Sequence, residues 1–337
     1  MNSRFFSTLL IAVAIVSLTL PAVLAGQAQT QPRGAKPYTP PKTPWGDPDL
    51  QGIWPSTEMI GVPLQRPANF GTRNVLTEEE FAQREAQAKR TSEADAEQFV
   101  KEGSTVGINP PSHWIDRGKP NRQASLVVDP PDGRVPPLTP EAQERVAARA
   151  ATRQTSGPAD SWEDRSLYER CITRGILGLL PVIYNNGTQI IQGPGYVAFT
   201  YEMIHEARLI PLDGRPHAGS NIRSYMGNSR GRWEGNTLVI ETTNFLPEKT
   251  AVGGTPTSDN FRLIERLTRV GANTLQYEAT IHDEKTWTRP WTLSLPLTKD
   301  NSGFPVFEYA CHEGNYALEG ILSGARADEK AAGANKK

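Results

Sequence analysis

The sequence predicts a mainly β protein, an antiparallel meander forming a lipocalin-like barrel or a two-sheet sandwich, with two or three peripheral N-terminal helices. Three observations predict it. The stretch Arg232-Trp-Glu-Gly-Asn-Thr-Leu-Val-Ile-Glu-Thr-Thr243 recurs as Arg269-Val-Gly-Ala-Asn-Thr-Leu-Gln-Tyr-Glu-Ala-Thr280. Each copy sets a Gly-containing turn, Gly235-Asn236 or Gly271-Ala272-Asn273, before a run of period-two alternation, which is the pattern of a β-hairpin. Further runs of strand length follow one another between Gln189 and Cys311. Turn formers such as Gly193-Pro194-Gly195 and Asp213-Gly214 separate them at short intervals, so hairpin connections suffice and up-and-down order follows.

Taken in chain order, Met1 to Ala25 carries Arg4 and then an apolar run ending in Val23-Leu24-Ala25, the pattern of a secretory signal peptide. A retained anchor is the alternative, since about 20 apolar residues suffice to span a bilayer. No basic stop-transfer cluster follows the run, and no cysteine near the cleavage point offers a lipid attachment site. The expected location is periplasmic or secreted, with no membrane association after cleavage. Residues 26–44 are rich in Pro, Gln, Lys and Thr and lack an apolar period, so they are expected to form a disordered arm.

Residues 45–164 read as a segment that wraps the body, with helices near 77–92 and 139–154. Trp45 to Trp54 alternates turn formers with the apolar anchors Trp45, Leu50, Ile53 and Trp54, so irregular structure docked on the body is expected. Thr77-Glu-Glu-Glu80 is a capping box, with hydroxyl and carboxylate each serving the other residue's backbone amide. Thr139-Pro140 places a cap residue before proline at the first helical position. Both helices are polar on most faces, which makes them surface struts. Between them, residues 103–137 are Pro- and Gly-rich, with an isolated strand at Ser125-Leu-Val-Val128.

Residues 165–326 form the expected β domain, and 327–337 a disordered tail. A short helix around Ser166 to Thr173 precedes strands at 189–192, 196–204, 207–212, 237–245, 262–270, 274–282, 286–297 and 306–311. The two cysteines, Cys171 and Cys311, are predicted to pair in an exported chain and to stabilise it by about 5 kcal/mol in the chain-entropy model. The rival reading is a nucleophilic Cys311 beside His312.

Composition narrows function by exclusion. Lys plus Arg is 36 against Asp plus Glu at 37, and the basic residues are scattered, so no nucleic-acid partner is expected. There is no Gly-x-Ser-x-Gly elbow, phosphate-binding glycine loop or His-Glu-x-x-His helix, and no cofactor or metal is expected. Glu202-Met-Ile-His205 has Glu-x-x-His spacing, but on a strand the two side chains diverge, so a di-iron reading is rejected. Strand parity sets Glu241 and Glu278 opposite the packed Leu238, Ile240, Leu275 and Tyr277, where solvent is the default neighbour and a lumenal carboxylate pair the alternative. Trp287 and Trp291 are expected to pack in the core under Arg289, with ligand stacking the alternative.

His205 follows Val197, Phe199, Tyr201 and Met203 on one strand face, and so points into apolar surroundings. His217 lies in the Asp213-Gly-Arg-Pro-His217 loop. His312 lies in a polar strand end with Glu313, Asn315 and Tyr316 that either forms a functional rim or bonds its own turn.

The peptides Leu167-Tyr-Glu-Arg-Cys-Ile-Thr-Arg174, Tyr201-Glu-Met-Ile-His205, Ile210-Pro-Leu-Asp-Gly-Arg-Pro-His217 and Tyr309-Ala-Cys-His-Glu-Gly-Asn-Tyr316 resemble a large family of exported soil-bacterial proteins with no assigned activity. The resemblance runs from about Pro44 to Arg326 and implies export and a shared fold, but carries over no catalytic residue.

The functional expectation is an exported small-molecule site near the strand ends, with Tyr201, His217, Glu313, Asn315 and Tyr316 as ligand contacts. If the site turns its ligand over, His205 or His312 is the general base and Arg208 or Arg223 stabilises developing negative charge, as in a cofactor-independent hydrolase or lyase. The alternative is a non-catalytic structural or interaction protein of the periplasm or cell surface.

Overall fold

Side-chain alternation becomes a two-sheet architecture in the computed structural model, which describes residues 38–98, 115–116, 118–155, 157, 159–177 and 180–334. The expected signal peptide and most of the expected disordered arm lie outside the described residues. In chain order the elements are β1 (Gly52–Ile53), α1 (Glu78–Gln98), β2 (Val127–Asp129), α2 (Pro140–Thr155), β3 (Thr188–Gly193), β4 (Tyr196–Tyr201), β5 (Ala207–Pro211), β6 (Asn228–Glu234), β7 (Thr237–Thr243), β8 (Ala251–Val252), β9 (Thr255–Pro256), β10 (Arg262–Gly271), β11 (Thr274–His282), β12 (Trp291–Thr298) and α3 (Tyr316–Ala334).

The repeated hairpins are β6–β7 and β10–β11, and with β12 they make an antiparallel meander. The full six-stranded order is β2-β12-β11-β10-β7-β6, with the small β8–β9 hairpin set apart from it. A second sheet has the order β1-β3-β4-β5. The two share one apolar core, in which Val197, Phe199 and Ile210 meet residues such as Leu238, Ile240, Leu263 and Leu295. Trp287 and Trp291 pack there edge to face, both buried, so the core reading of this pair holds.

The expected lipocalin-like barrel does not form, because no strand among the described residues joins the two sheets. Short edges and proline explain this. β1 ends at Trp54-Pro55 and β2 at Pro130-Pro131, and proline cannot donate to a ladder. At the other edge β5 approaches β6 through side chains rather than hydrogen bonds. Ile210 and Leu212 lie so close over Gly231 that a Cβ there would come within 2.9 and 2.6 Å of them.

Three further elements differ from expectation. Ser166 to Thr173 forms hydrogen-bonded turns rather than a helix. Val306 to Ala310 has no regular secondary structure and no ladder partner, and Cys311 enters a turn with its amide donating to Tyr309 O at 2.8 Å. Residues 327–334, expected as tail, continue α3, whose first turn is capped by Asn315 Oδ1 accepting from the Leu318 amide at 3.3 Å. The N-terminal caps match expectation. Thr77 and Glu80 exchange their two hydrogen bonds at 2.8 and 3.2 Å, and Thr139 Oγ1 accepts from the Ala142 amide at 3.1 Å.

Candidate functional site

The disulfide organises the most elaborate concavity. Cys171 and Cys311 are joined across a sequence separation of 140. The bond draws the turns around Tyr168 against the end of an irregular segment, Phe304 to Ala310, which forms a strap along one side of a cleft of about 1230 Å³. The opposite side is the edge of the four-stranded sheet at Ile53, whose carbonyl accepts from the Asp300 amide at 2.9 Å, with Asn185, Gly187 and Glu202 beyond it. Among the described residues, the Val306, Phe307, Glu308 and Tyr309 amides donate no hydrogen bond. Phe304 and Phe307 are 66 % and 64 % exposed.

Three tyrosines meet at the disulfide end. The Tyr168 and Tyr184 hydroxyls lie 2.9 Å apart, and each is 3.5 Å from that of Tyr309. The Tyr184 and Tyr309 rings stack with centroids 6.4 Å apart. Burial pushes both of these phenols above their ordinary titration range, and for Tyr309 the neighbouring phenols reinforce it. They therefore remain neutral near pH 7 and offer both hydrogen-bond donation and acceptance.

Carboxylates line the rest. The Asp116 amide donates to Ile183 O at 2.8 Å, which fixes the residue beside the cleft. Its carboxyl is held above the usual aspartate range by burial first, with repulsion from Glu202 and Asp300 adding to it and a hydrogen bond from Asn186 opposing it. Glu202 accepts from Asn185 Nδ2 at 3.1 Å and from the Gly187 amide at 3.0 Å. Glu58 accepts from Thr298 Oγ1 at 2.9 Å. Phenols, carboxylates and an apolar strap make a surface for a small ligand rich in hydrogen-bond donors.

The residues expected from sequence are placed differently. Arg208 and Tyr201 are inside the core, not at a ligand surface. Arg208 is 4 % and Glu265 0 % exposed, and Arg208 forks onto Glu265 at 3.0 and 2.6 Å. The guanidinium also donates to Tyr201 Oη at 3.0 Å, Ser229 Oγ at 3.1 Å and Thr242 Oγ1 at 3.2 Å, while Tyr277 Oη donates to Glu265 at 3.0 Å. Parity put the Tyr201 ring inward correctly; its phenol, pushed up to about 12 by burial, serves this network.

His205 is exposed rather than set in apolar surroundings, because β4 ends at Tyr201 and the chain turns through left-handed backbone at Ile204 (φ 61°) and His205 (φ 46°). Its Nδ1 lies 3.0 Å from Tyr309 O, so Nδ1 carries the proton and the imidazole tethers the strap. His217 Nδ1 is 3.1 Å from Asn228 Oδ1, and Arg223 donates to the Ser220 and Phe245 carbonyls, so these two belong to the loop over the β6–β7 end. His312, Glu313 and Tyr316 are exposed in the turn before α3 and at its start. Asn315 alone of that group lines the cleft, donating to Glu169 O at 2.9 Å. His205 and His312 thus flank the strap's anchored end, and neither Arg208 nor Arg223 joins them.

Glu241 and Glu278 lie on the outer face of the six-stranded sheet, half-buried, with Glu241 3.5 Å from Arg262. Sequence reasoning missed Tyr168, Tyr184, Tyr309, Asp116 and Glu202. Tyr168 and Tyr309 each sit within three residues of a cysteine, a proximity that becomes a signal once the disulfide is drawn. Tyr184, Asp116 and Glu202 have no such local mark. Among the described residues no helix is long and apolar enough to cross a membrane, and no group of three or more His, Cys, Asp or Glu side chains is arranged to hold a metal ion. The chain matches no protein-family model, no curated protein and no solved structure.

Proposed function

We propose that the protein is an exported binder of small molecules, acting in the periplasm or outside the cell, with its ligand held in the cleft between strap and sheet edge. One observation carries this reading: three phenol hydroxyls converge at the disulfide-closed end of a cleft of about 1230 Å³. That volume is above the usual range of about 300–1,000 Å³ for ligand pockets, which leaves room for a drug-sized molecule and its bridging waters. The ligand class that fits is neutral or cationic, with hydroxyl or amine donors for Asp116 and Glu202 and an apolar face for Phe304 and Phe307. A disulfide accords with an oxidising compartment.

The test is a thermal-shift screen of polyols, phenolics and amines on the folded protein, repeated on Tyr168→Phe and Tyr309→Phe. A hit that stabilises the wild type and loses about fivefold in affinity in either variant supports the cleft, since one such hydrogen bond is worth about 1 kcal/mol. Hits indifferent to both substitutions, or none at all, favour a structural or interaction protein instead.

A hydrolase or lyase reading rests on one observation. His205 Nδ1 is committed to Tyr309 O, so Nε2 is the ring nitrogen free to act as a general base at the strap's edge. Turnover of a screened ligand that vanishes in His205→Ala, while binding persists, would add catalysis to the proposal.

A further inference from the structure

We infer that a second pocket, on the other side of the Tyr168–Arg174 turns, binds an oxyanion: the carboxylate, sulfate or phosphate group of a small molecule. This pocket encloses about 770 Å³ and shares Tyr168 and Glu169 with the cleft. The turns therefore form a partition, with Cys171 lining the cleft and Arg170, Thr173 and Arg174 lining the second pocket.

Charge and hydrogen bonding together point to the ligand. The pocket is lined by Arg149, Arg170, Arg174 and Lys249, and none of these four side chains donates to an acceptor or pairs with a carboxylate among the described residues. The acidic groups nearby are mostly engaged already. Glu169 pairs with Arg165 and accepts from Ser166, and Asp164 caps Ser161 at 2.7 and 3.0 Å, leaving Glu163 as the remaining carboxylate. A chain of formal net charge −1 thus gathers an excess of cations around one concavity.

The arginines are also held in place. The Arg170 guanidinium lies 4.4 Å over the Trp162 ring, and that of Arg174 lies 5.2 Å over Tyr168. Stacking fixes the plane of a guanidinium and leaves its in-plane N–H groups available, which is the geometry that grips a planar or tetrahedral oxyanion through two bonds. The half-buried Tyr225 adds a hydroxyl at the rim that has no partner among the described residues. Lys249, exposed in the same lining, supplies a point charge. Two preset forks, a phenol and an ammonium around a space of this size suit a small anion with one or two such groups.

Isothermal titration of the folded protein with inorganic phosphate, sulfate and citrate, at ionic strength held constant with sodium chloride, tests this. Saturable binding of at least one of them is expected. Arg170→Gln and Arg174→Gln should each weaken it about tenfold, and Lys249→Gln, at an exposed position that leaves folding intact, about threefold. Arg174→Lys should recover only part of the loss, because charge returns without the fork. Tyr309→Phe, in the cleft, should leave anion binding unchanged, which separates this site from the proposed cleft ligand. Absence of saturable heat with all three anions overturns the inference, as does equal affinity in wild type, Arg170→Gln and Arg174→Gln with native circular dichroism.

Discussion

At the scale of single residues, the Arg208–Glu265 pair is the costliest group in the core to disturb. Both charges are out of water, so each depends on the other and on the hydroxyls of Tyr201, Tyr277, Ser229 and Thr242. Glu265→Leu should destabilise by about 3–5 kcal/mol in urea denaturation by leaving the guanidinium uncompensated. The joint Arg208→Met, Glu265→Leu variant should regain most of that loss; a double variant no better than the single would mean that the hydroxyls, not the ion pair, dominate. Glu278 behaves oppositely. Burial raises its folded pKa above the ordinary 4.5, with Arg266 only partly offsetting it. Its stabilising contribution is complete below the unfolded value and is lost as pH rises through the raised folded value. Glu278→Gln should therefore raise Tm at pH 7 and leave it nearly unchanged near pH 3.5, and a constant difference across that window would refute the assignment. Parity alone placed Glu278 on the outer face and Tyr201 on the inner one. It could not supply Arg208 with its partner: Glu265 shares a face of β10 with Leu263 and Leu267, which marks it as inward, but it is 57 residues away and pairing across that distance has no local signal.

At the scale of elements, what was local was legible and what depended on a distant partner was not. Capping boxes, a Thr-Pro start and glycine turns fix α1, α2 and the hairpins from a few adjacent residues. Val306 to Cys311 has the composition of a strand, yet a strand exists only with a ladder, and this segment is held instead by a disulfide, one imidazole contact and the Tyr309 side chain against Tyr168 and Tyr184. α3 was missed because Gly320, Gly324 and Gly333 interrupt an otherwise helix-forming stretch. The strap should accordingly exchange fast: amides of Val306 to Tyr309 should exchange orders of magnitude sooner than those of β10 and β11 in hydrogen-exchange mass spectrometry. Cys171→Ser with Cys311→Ser should cost up to about 5 kcal/mol by releasing a long closed loop. It should also abolish binding in the cleft, because the Tyr168 turns and Tyr309 would no longer be tied together. Retained affinity in a folded double variant would show that the tyrosine cluster survives without its covalent clasp.

At the scale of the whole molecule, the sequence carried the class and the meander but not the closure. Barrel or sandwich is decided at the edges, by two-residue β1 and three-residue β2 stopping at prolines and by β5 meeting β6 over Gly231. Because the sheets stay open, the interior is filled by core and the concavities lie outside it, around the disulfide. That moves the functional expectation from the strand-end histidines and arginines to a cleft built largely from loops. The cleft is the proposed ligand site. The most direct measurement is hydrogen exchange of the wild type with and without the strongest compound from the screen. Slowed exchange confined to Val306–Tyr309 and the Tyr184–Glu202 side of the cleft is the predicted result. Protection elsewhere, with the strap amides unchanged, would contradict it.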